Sequence, residues 1–300
     1  MPHLQGVITA LATPFRDGRF DREAYAAHVA TQLQEGVAGL VPIGTTGEAA
    51  TMSDEERSQA VRTAVEVARG RVPVIAGAGG NSTSATIAAV ARVREAGADA
   101  ALIVTPFYNK PTQAGLVAHY RAIAAAHPGF ALVAYNVPGR TGVDLLPDAV
   151  LRLCEIPEVV GLKEATGSLA RLADILERVP ADRLALLSGD DFTAAPFLAL
   201  GGHGVISVSA NAVPALMVAL VRAALASDNK TAAGLQIRLN PLHRALFSES
   251  NPIPVKAALA ALGRFGPEVR LPLTPLSADR RPTLFAAMRA LGLDVPVESA

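Results

Sequence analysis

Apolar and polar positions along the chain repeat one unit. Short, nearly unbroken apolar runs recur eight times: G-V-I-T-A-L-A-T-P from Gly6, G-L-V-P-I-G-T-T-G-E from Gly39, V-P-V-I-A-G-A-G-G from Val72, A-A-L-I-V-T-P-F-Y from Ala100, A-L-V-A-Y-N-V-P from Ala131, V-V-G-L-K-E-A-T-G from Val159, L-A-L-L-S-G-D-D from Leu184 and G-V-I-S-V-S-A-N from Gly204. Between them the apolar residues fall at helical spacing, as over Thr83–Ala96 and Leu169–Val179. A new strand signal arrives every 20–35 residues, the length of a βα unit. Strands apolar on both faces predict a parallel sheet covered on both sides. Eight such units in succession predict an α/β fold closed into a (β/α)8, or TIM, barrel. After Ser227 the strand rhythm stops and helical segments alternate with proline-rich turns such as N-P-I-P-V-K (Asn251–Lys256) and L-P-L-T-P-L (Leu271–Leu276). The expected organisation is a barrel over residues 1–226 and a helical C-terminal region over 227–300.

A barrel of this kind carries its chemistry at the C-terminal mouth. Polar residues gather at those strand ends: Thr45, Thr46 and Glu48; Tyr108 and Asn109; Tyr135, Asn136 and Arg140; Lys163 and Glu164; Asp190 and Asp191; Ser209 and Asn211. Strands end in polar residues anyway, which accounts for the aspartates and asparagines. It accounts less well for two tyrosines and a lysine set inside a strand.

Composition narrows the function. Half the residues are hydrophobic, and 27 basic residues balance 27 acidic ones, so neither nucleic acid nor an anionic membrane surface is an expected partner. No secretion signal and no apolar run of about 18 residues is present, so a soluble cytoplasmic protein is expected. Cys154 is the only cysteine; this excludes intrachain disulfides, and the R-L-C-E-I-P context reads as core packing. G-A-G-G-N-S (Gly77–Ser82) opens a helix after a strand, but it lacks the third glycine of a dinucleotide loop and reads as a tight turn. The six histidines are scattered, with no metal-binding spacing, so no metal is expected. No G-x-S-x-G elbow is present.

Lys163 has two readings. One is a structural pair with Glu164. The other is an amine desolvated by the barrel interior, able in its neutral form to attack a carbonyl. Such an amine needs a proton relay, and Tyr135 on the preceding strand sits at similar depth, with neighbouring strands ~4.8 Å apart.

G-T-T-G-E (Gly44–Glu48), Y-N-V-P-G-R-T (Tyr135–Thr141), G-L-K-E-A-T-G (Gly161–Gly167) and N-P-I-P-V-K resemble the dihydrodipicolinate synthase family of the N-acetylneuraminate lyase superfamily. The likeness extends through L-L-S-G-D-D and G-G-H-G-V-I-S-V, nearly the whole chain. It implies that Lys163 forms a Schiff base with pyruvate and that Tyr135 relays protons, linked to Thr45 and Tyr108. It implies that Tyr108 reaches a neighbouring subunit's site, that Thr46 holds the pyruvate carboxylate, and that Arg140 receives the carboxylate of L-aspartate semialdehyde. Gly189 and Ile206 are substrate-binding positions by the same likeness. No metal or nucleotide is implied, and the family's usual assembly is a homotetramer, a dimer of dimers.

Rival readings are a sister pyruvate-dependent aldolase acting on a sugar acid or another aldehyde, a non-catalytic keto-acid-binding barrel, and an interaction scaffold. Arg140 argues against the first, since sialic acid lyases carry an apolar residue there. Intact Lys163, Tyr135, Tyr108 and Thr45 argue against the second. The resemblance also bears on regulation. Of the pocket that holds lysine in regulated relatives, Asn81 is retained. Its glutamate falls at Ala85, its tyrosine at Phe107 and its histidines at Asp54 and Arg57, which implies weak inhibition by lysine or none.

Overall fold

The eight apolar runs all become parallel strands in a computed structural model that describes residues 4–297: β1 Gly6–Ala10, β2 Gly39–Val41, β3 Ile75–Gly77, β4 Ala100–Val104, β5 Ala131–Asn136, β6 Val159–Glu164, β7 Ala185–Ser188 and β8 Gly204–Ser207. The sheet runs β2-β1-β8-β7-β6-β5-β4-β3. Its two edges meet through a single parallel bridge, Leu40 to Val74, which closes the ring. Closure is what allows such short strands to persist, because no backbone edge is left to solvent.

Alternation along each strand sorts the apolar residues into two layers. One set, including Ile8, Val41, Ile75, Leu102, Val133, Leu187 and Ile206, fills the barrel interior. The other set, including Val7, Leu40, Ile103, Leu132, Leu162, Leu186 and Val205, faces the surrounding helices. Those helices are α1 Arg22–Gln34, α2 Asp54–Ala68, α3 Thr83–Glu95, α4 Gln113–Ala126, α5 Pro147–Leu153, α6 Leu169–Arg178, α7 Ala194–Ala199 and α8 Pro214–Leu225. Their starts are chemically marked. Asp21, Ser82, Thr112 and Ser168 each accept a first-turn N–H, and Ser53 with Glu56 forms a reciprocal capping box. Ser82 thus turns G-A-G-G-N-S directly into α3. Cys154 is half-buried and packs against the outer core layer.

The C-terminal region forms three helices, α9 Asn229–Leu246, α10 Ile253–Ala261 and α11 Arg281–Ala290. α9 lies against α7 and α8, and α10 and α11 close over it. A small antiparallel ribbon, Phe15–Arg16 with Arg19–Phe20, meets this region at its turn, where Gly18 bonds to Glu268 and Arg270. Asp17 and Gly18 turn it with φ of 52° and 72°, the Asp-Gly signature of a two-residue hairpin that the periodicity reading passed over.

Arg270 clamps these parts together. Its guanidinium donates to both carboxylate oxygens of Glu56 at 2.8 and 2.5 Å, and to the carbonyls of Thr51 and Gly18. The Arg270 hydrogen bonds hold the Glu56 carboxyl at about 2, below its ordinary 4.5. A depressed carboxyl contributes stability that is present above its unfolded value and lost as pH falls through the folded one. Chemical denaturation should therefore show this contribution in full above about pH 4.5 and fading toward pH 2. Because the pair is part-exposed and screened, its size should be about 1 kcal/mol. Glu56→Gln should flatten that part of the pH–stability curve; an unchanged acid slope in the variant would show that the pair carries no linkage.

Candidate active site

The register of β5 on β6 places Tyr135 directly beside Lys163, with Asn136 beside Glu164. Strand alternation then separates the two charged residues of G-L-K-E. Lys163 points inward among the interior layer, where its strand neighbours Tyr135 and Leu187 lie. Glu164 points outward, accepting from Asn136 Nδ2 at 3.0 Å and from the Thr166 N–H at 2.7 Å. The structural-pair reading of Lys163 and Glu164 is therefore wrong. Lys163 is 6% exposed and enters no ion pair among the described residues. Its Nζ instead lies 4.2 Å from the centroid of the Tyr135 ring, a contact that accommodates an ammonium without supplying a counter-charge.

Gly189 makes room for this amine. A Cβ there would stand 2.6 Å from Ala165 Cβ and 3.0 Å from Lys163 Cε, so a side chain would push the lysine stem aside. Ile206 lies deeper in the interior, paired in register with Ile8 and 1% exposed.

Above the lysine a cavity of about 740 Å³ opens at the barrel mouth, and Thr45, Tyr135, Arg140 and Asn251 line it. Thr46 is buried behind the wall, its Oγ1 accepting from Asn251 Nδ2 at 3.0 Å. Arg140, at the end of the short helical turn Pro138–Thr141, is exposed and donates at 3.4 Å to the Asn251 carbonyl. The fold brings together Lys163, Tyr135, Thr45, Thr46, Arg140 and Gly189. Tyr108 stands apart, 87% exposed with φ of 73°, its N–H donating to the Thr141 carbonyl. A bulky residue at positive φ is held there at a cost, and the result is a tyrosine presented away from its own mouth.

Two supporting networks were not legible from the motifs. Behind the β5 and β6 ends, Asn136 also donates to Asp144 at 2.8 Å, and Asp144 takes Arg171 in a two-point contact at 3.1 and 2.5 Å. Burial raises the Asp144 carboxyl, but the Arg171 and Asn136 bonds outweigh it and leave it lowered. Over the G-T-T-G-E turn, Lys256 donates to Glu48 at 2.5 Å with both side chains essentially inaccessible. Burial pulls the Lys256 ammonium down despite the Glu48 charge beside it. The signal was present in N-P-I-P-V-K, since a lysine opening an apolar helix needs a buried partner. Among the described residues no cluster of three or more His, Cys, Asp or Glu side chains could hold a metal ion, and no helix is long and apolar enough to cross a membrane.

An unpaired amine inside a (β/α)8 barrel, beside a phenol and beneath a mouth carrying an arginine, defines a barrel suited to work on a carbonyl compound through its lysine. The chain belongs to the Dihydrodipicolinate synthetase family, whose model matches residues 3–291. The 4-hydroxy-tetrahydrodipicolinate synthase of Maridesulfovibrio salexigens is 50% identical over 290 residues, 96% of this chain and 99% of that one. The chloride-inhibited dihydrodipicolinate synthase of Acinetobacter baumannii complexed with pyruvate superposes with a TM-score of 0.95 at 45% identity, covering 97% of this chain and 100% of the other. A monomeric dihydrodipicolinate synthase variant superposes at 0.94 with 41% identity, covering 96% and 97%.

The outer end of the cavity runs between α2 and α3, where Ala85, Phe107, Asp54 and Arg57 sit. Asp54 is engaged by Arg57 and Arg92, each at 3.4 Å, so it is not a free counter-charge for an amine. A lysine effector placed here would leave its α-ammonium without a carboxylate partner, and an effector shifts an equilibrium only by as much as its differential affinity for the two states. Steady-state turnover at millimolar lysine should stay near its uninhibited rate; strong inhibition at sub-millimolar lysine would contradict this.

Proposed function

We infer that this chain condenses pyruvate with L-aspartate semialdehyde to give 4-hydroxy-tetrahydrodipicolinate, the branch step toward diaminopimelate and lysine. The observation that carries this reading is Lys163: buried inside the barrel, without a carboxylate, and against Tyr135. Its neutral Nζ attacks C2 of pyruvate, and the carbinolamine loses water to form an imine. Loss of a methyl proton converts the imine into an enamine, whose terminal carbon attacks the aldehyde carbon of the second substrate. The amino group of that substrate then adds to the imine carbon, and the Lys163 amine leaves as the ring closes. Every step moves a proton, and Tyr135, directly across the strand pair, is the group at hand for the relay, with Thr45 at the mouth beside it. Thr46 and the turn around it are assigned to the pyruvate carboxylate and Arg140 to the carboxylate of the semialdehyde. Oriented donors at both ends convert an encounter into a near-attack geometry. The covalent imine supplies the activation, so the scheme calls for no metal or nucleotide.

The outward Tyr108, beside the half-exposed Phe107, supports an assembly in which a tyrosine from one subunit completes its neighbour's relay. We assign a cytoplasmic homotetramer on that basis together with the balanced charge.

Incubation with pyruvate and borohydride followed by intact-mass measurement tests the reading. The wild type should gain one reduced pyruvate and Lys163→Ala none; an adduct surviving in the variant refutes the assignment. Arg140→Ala should leave trapping intact but lower kcat/KM for the semialdehyde about ten- to a hundred-fold, in line with the ~1.5–3 kcal/mol of hydrogen bonds to a charged group. Equal damage to trapping would mean that Arg140 supports the amine instead of the acceptor.

A further inference from the structure

The Glu48–Lys256 pair lies outside the reaction scheme, yet it is among the most completely buried polar contacts of the chain. The two side chains are 1% and 0% exposed, and their atoms meet across 208 residues of sequence. Glu48 ends the Gly44–Glu48 turn in a left-handed conformation, φ 53°. Its N–H donates to the Thr45 carbonyl at 3.1 Å, and its own carbonyl accepts from the N–H and hydroxyl of Thr51. Both carboxylate oxygens are occupied, one by Lys256 and the other by the Arg270 N–H at 3.0 Å. From beneath, the turn is pressed onto the barrel: a Cβ at Gly47 would stand 3.1 Å from Ile43 backbone atoms and 3.2 Å from the Leu11 carbonyl. From above, two contacts arrive from the same short stretch of chain. Lys256 on α10 holds Glu48, and Asn251, just before α10, holds the Thr46 hydroxyl. Thr45 and Thr46 are thus suspended between a rigid floor and a charged clamp.

We propose that Lys256 is a positioning residue for pyruvate: by pairing with Glu48 it locks the Gly44–Glu48 turn and so sets where Thr45 and Thr46 meet the keto acid. This rests on the assignment of those threonines to pyruvate given above. A pair serving only general stability would have no reason to discriminate between the two substrates. A clamp on this turn acts on pyruvate, while the semialdehyde is assigned to Arg140, which bonds to the Asn251 carbonyl and, among the described residues, makes no hydrogen bond to the turn.

The test is Lys256→Met, which keeps the stem and removes the charge, with folding checked by circular dichroism. Pyruvate is titrated in the borohydride trapping assay, and KM for the semialdehyde is measured at saturating pyruvate. Half-saturating pyruvate should rise about ten-fold or more, since small misplacements at a reacting site cost up to about 10²-fold, with KM for the semialdehyde within about three-fold of wild type. Should Lys256→Met not fold, Glu48→Gln carries the same test, because it keeps the shape and an acceptor for Arg270 while abolishing the pair. A folded variant with wild-type half-saturation for pyruvate, or one in which both substrates weaken equally, overturns the proposal. Absence of any adduct in the wild type would instead overturn the reading of Lys163 and this inference with it; failure confined to the variants leaves that reading standing.

Discussion

Everything about this mouth depends on the difference between two buried lysines. An ammonium removed from water is costly unless a counter-charge or a lost proton relieves it. Lys256 is relieved by Glu48 at 2.5 Å. Lys163 is given, among the described residues, no carboxylate but the face of Tyr135 at 4.2 Å. The first lysine is thereby fixed. For the second, the carboxylate nearest to it in sequence is turned to the opposite face of the strand. Strand alternation alone keeps Lys163 and Glu164 apart, so β6 separates an amine from an acid that share one peptide bond.

That separation holds only if the strand ends are immobile. The barrel supplies part of the rigidity through register, and polar networks on its outer side supply the rest. Asn136, Asp144, Glu164 and Arg171 tie the ends of β5 and β6 to the chain that follows β5 and to α6. None of these four groups faces the cavity, yet removing one partner from such a network leaves others buried and unsatisfied, at a cost of ~1–3 kcal/mol each. Gly189 acts by absence in the same sense, since any side chain there would occupy the path of the lysine stem.

The fold was legible because its signals are periodic and local. Runs apolar on both faces, returning at regular intervals, leave little alternative to a closed parallel barrel, and the predicted helices over 83–96 and 169–179 end within a residue of the observed ones. Lys163 and Tyr135 were legible for the opposite reason, as polar residues that break an apolar strand. The Glu48–Lys256 contact was only half legible, because a lysine in an apolar helix signals the need for a partner but nothing local identifies one more than 200 residues away. Nor was the Asp17-Gly18 hairpin, although its dipeptide is a local turn signal, because its strands are two residues long and carry no measurable alternation. Sequence spacing likewise placed Asn251 in a turn, and only the packing of α10 over the mouth gives it Thr46 and Arg140 as neighbours.

The mouth is consequently built in two layers of different stiffness. Its floor is made of strand ends whose side chains are buried and whose register is set by the barrel, and there Lys163 sits. Its ceiling comes from the C-terminal region and from the short turn carrying Arg140, which is exposed and held by one long hydrogen bond of 3.4 Å. Covalent chemistry tolerates little misplacement, whereas capturing a second substrate by its carboxylate tolerates more, because a guanidinium can follow its partner. Lys163 stands on β6 and Arg140 on a surface turn, so the two differ in how firmly the fold holds them. The C-terminal helices have a place in this arrangement because the wall between the two layers, the Gly44–Glu48 turn, is held by residues they carry.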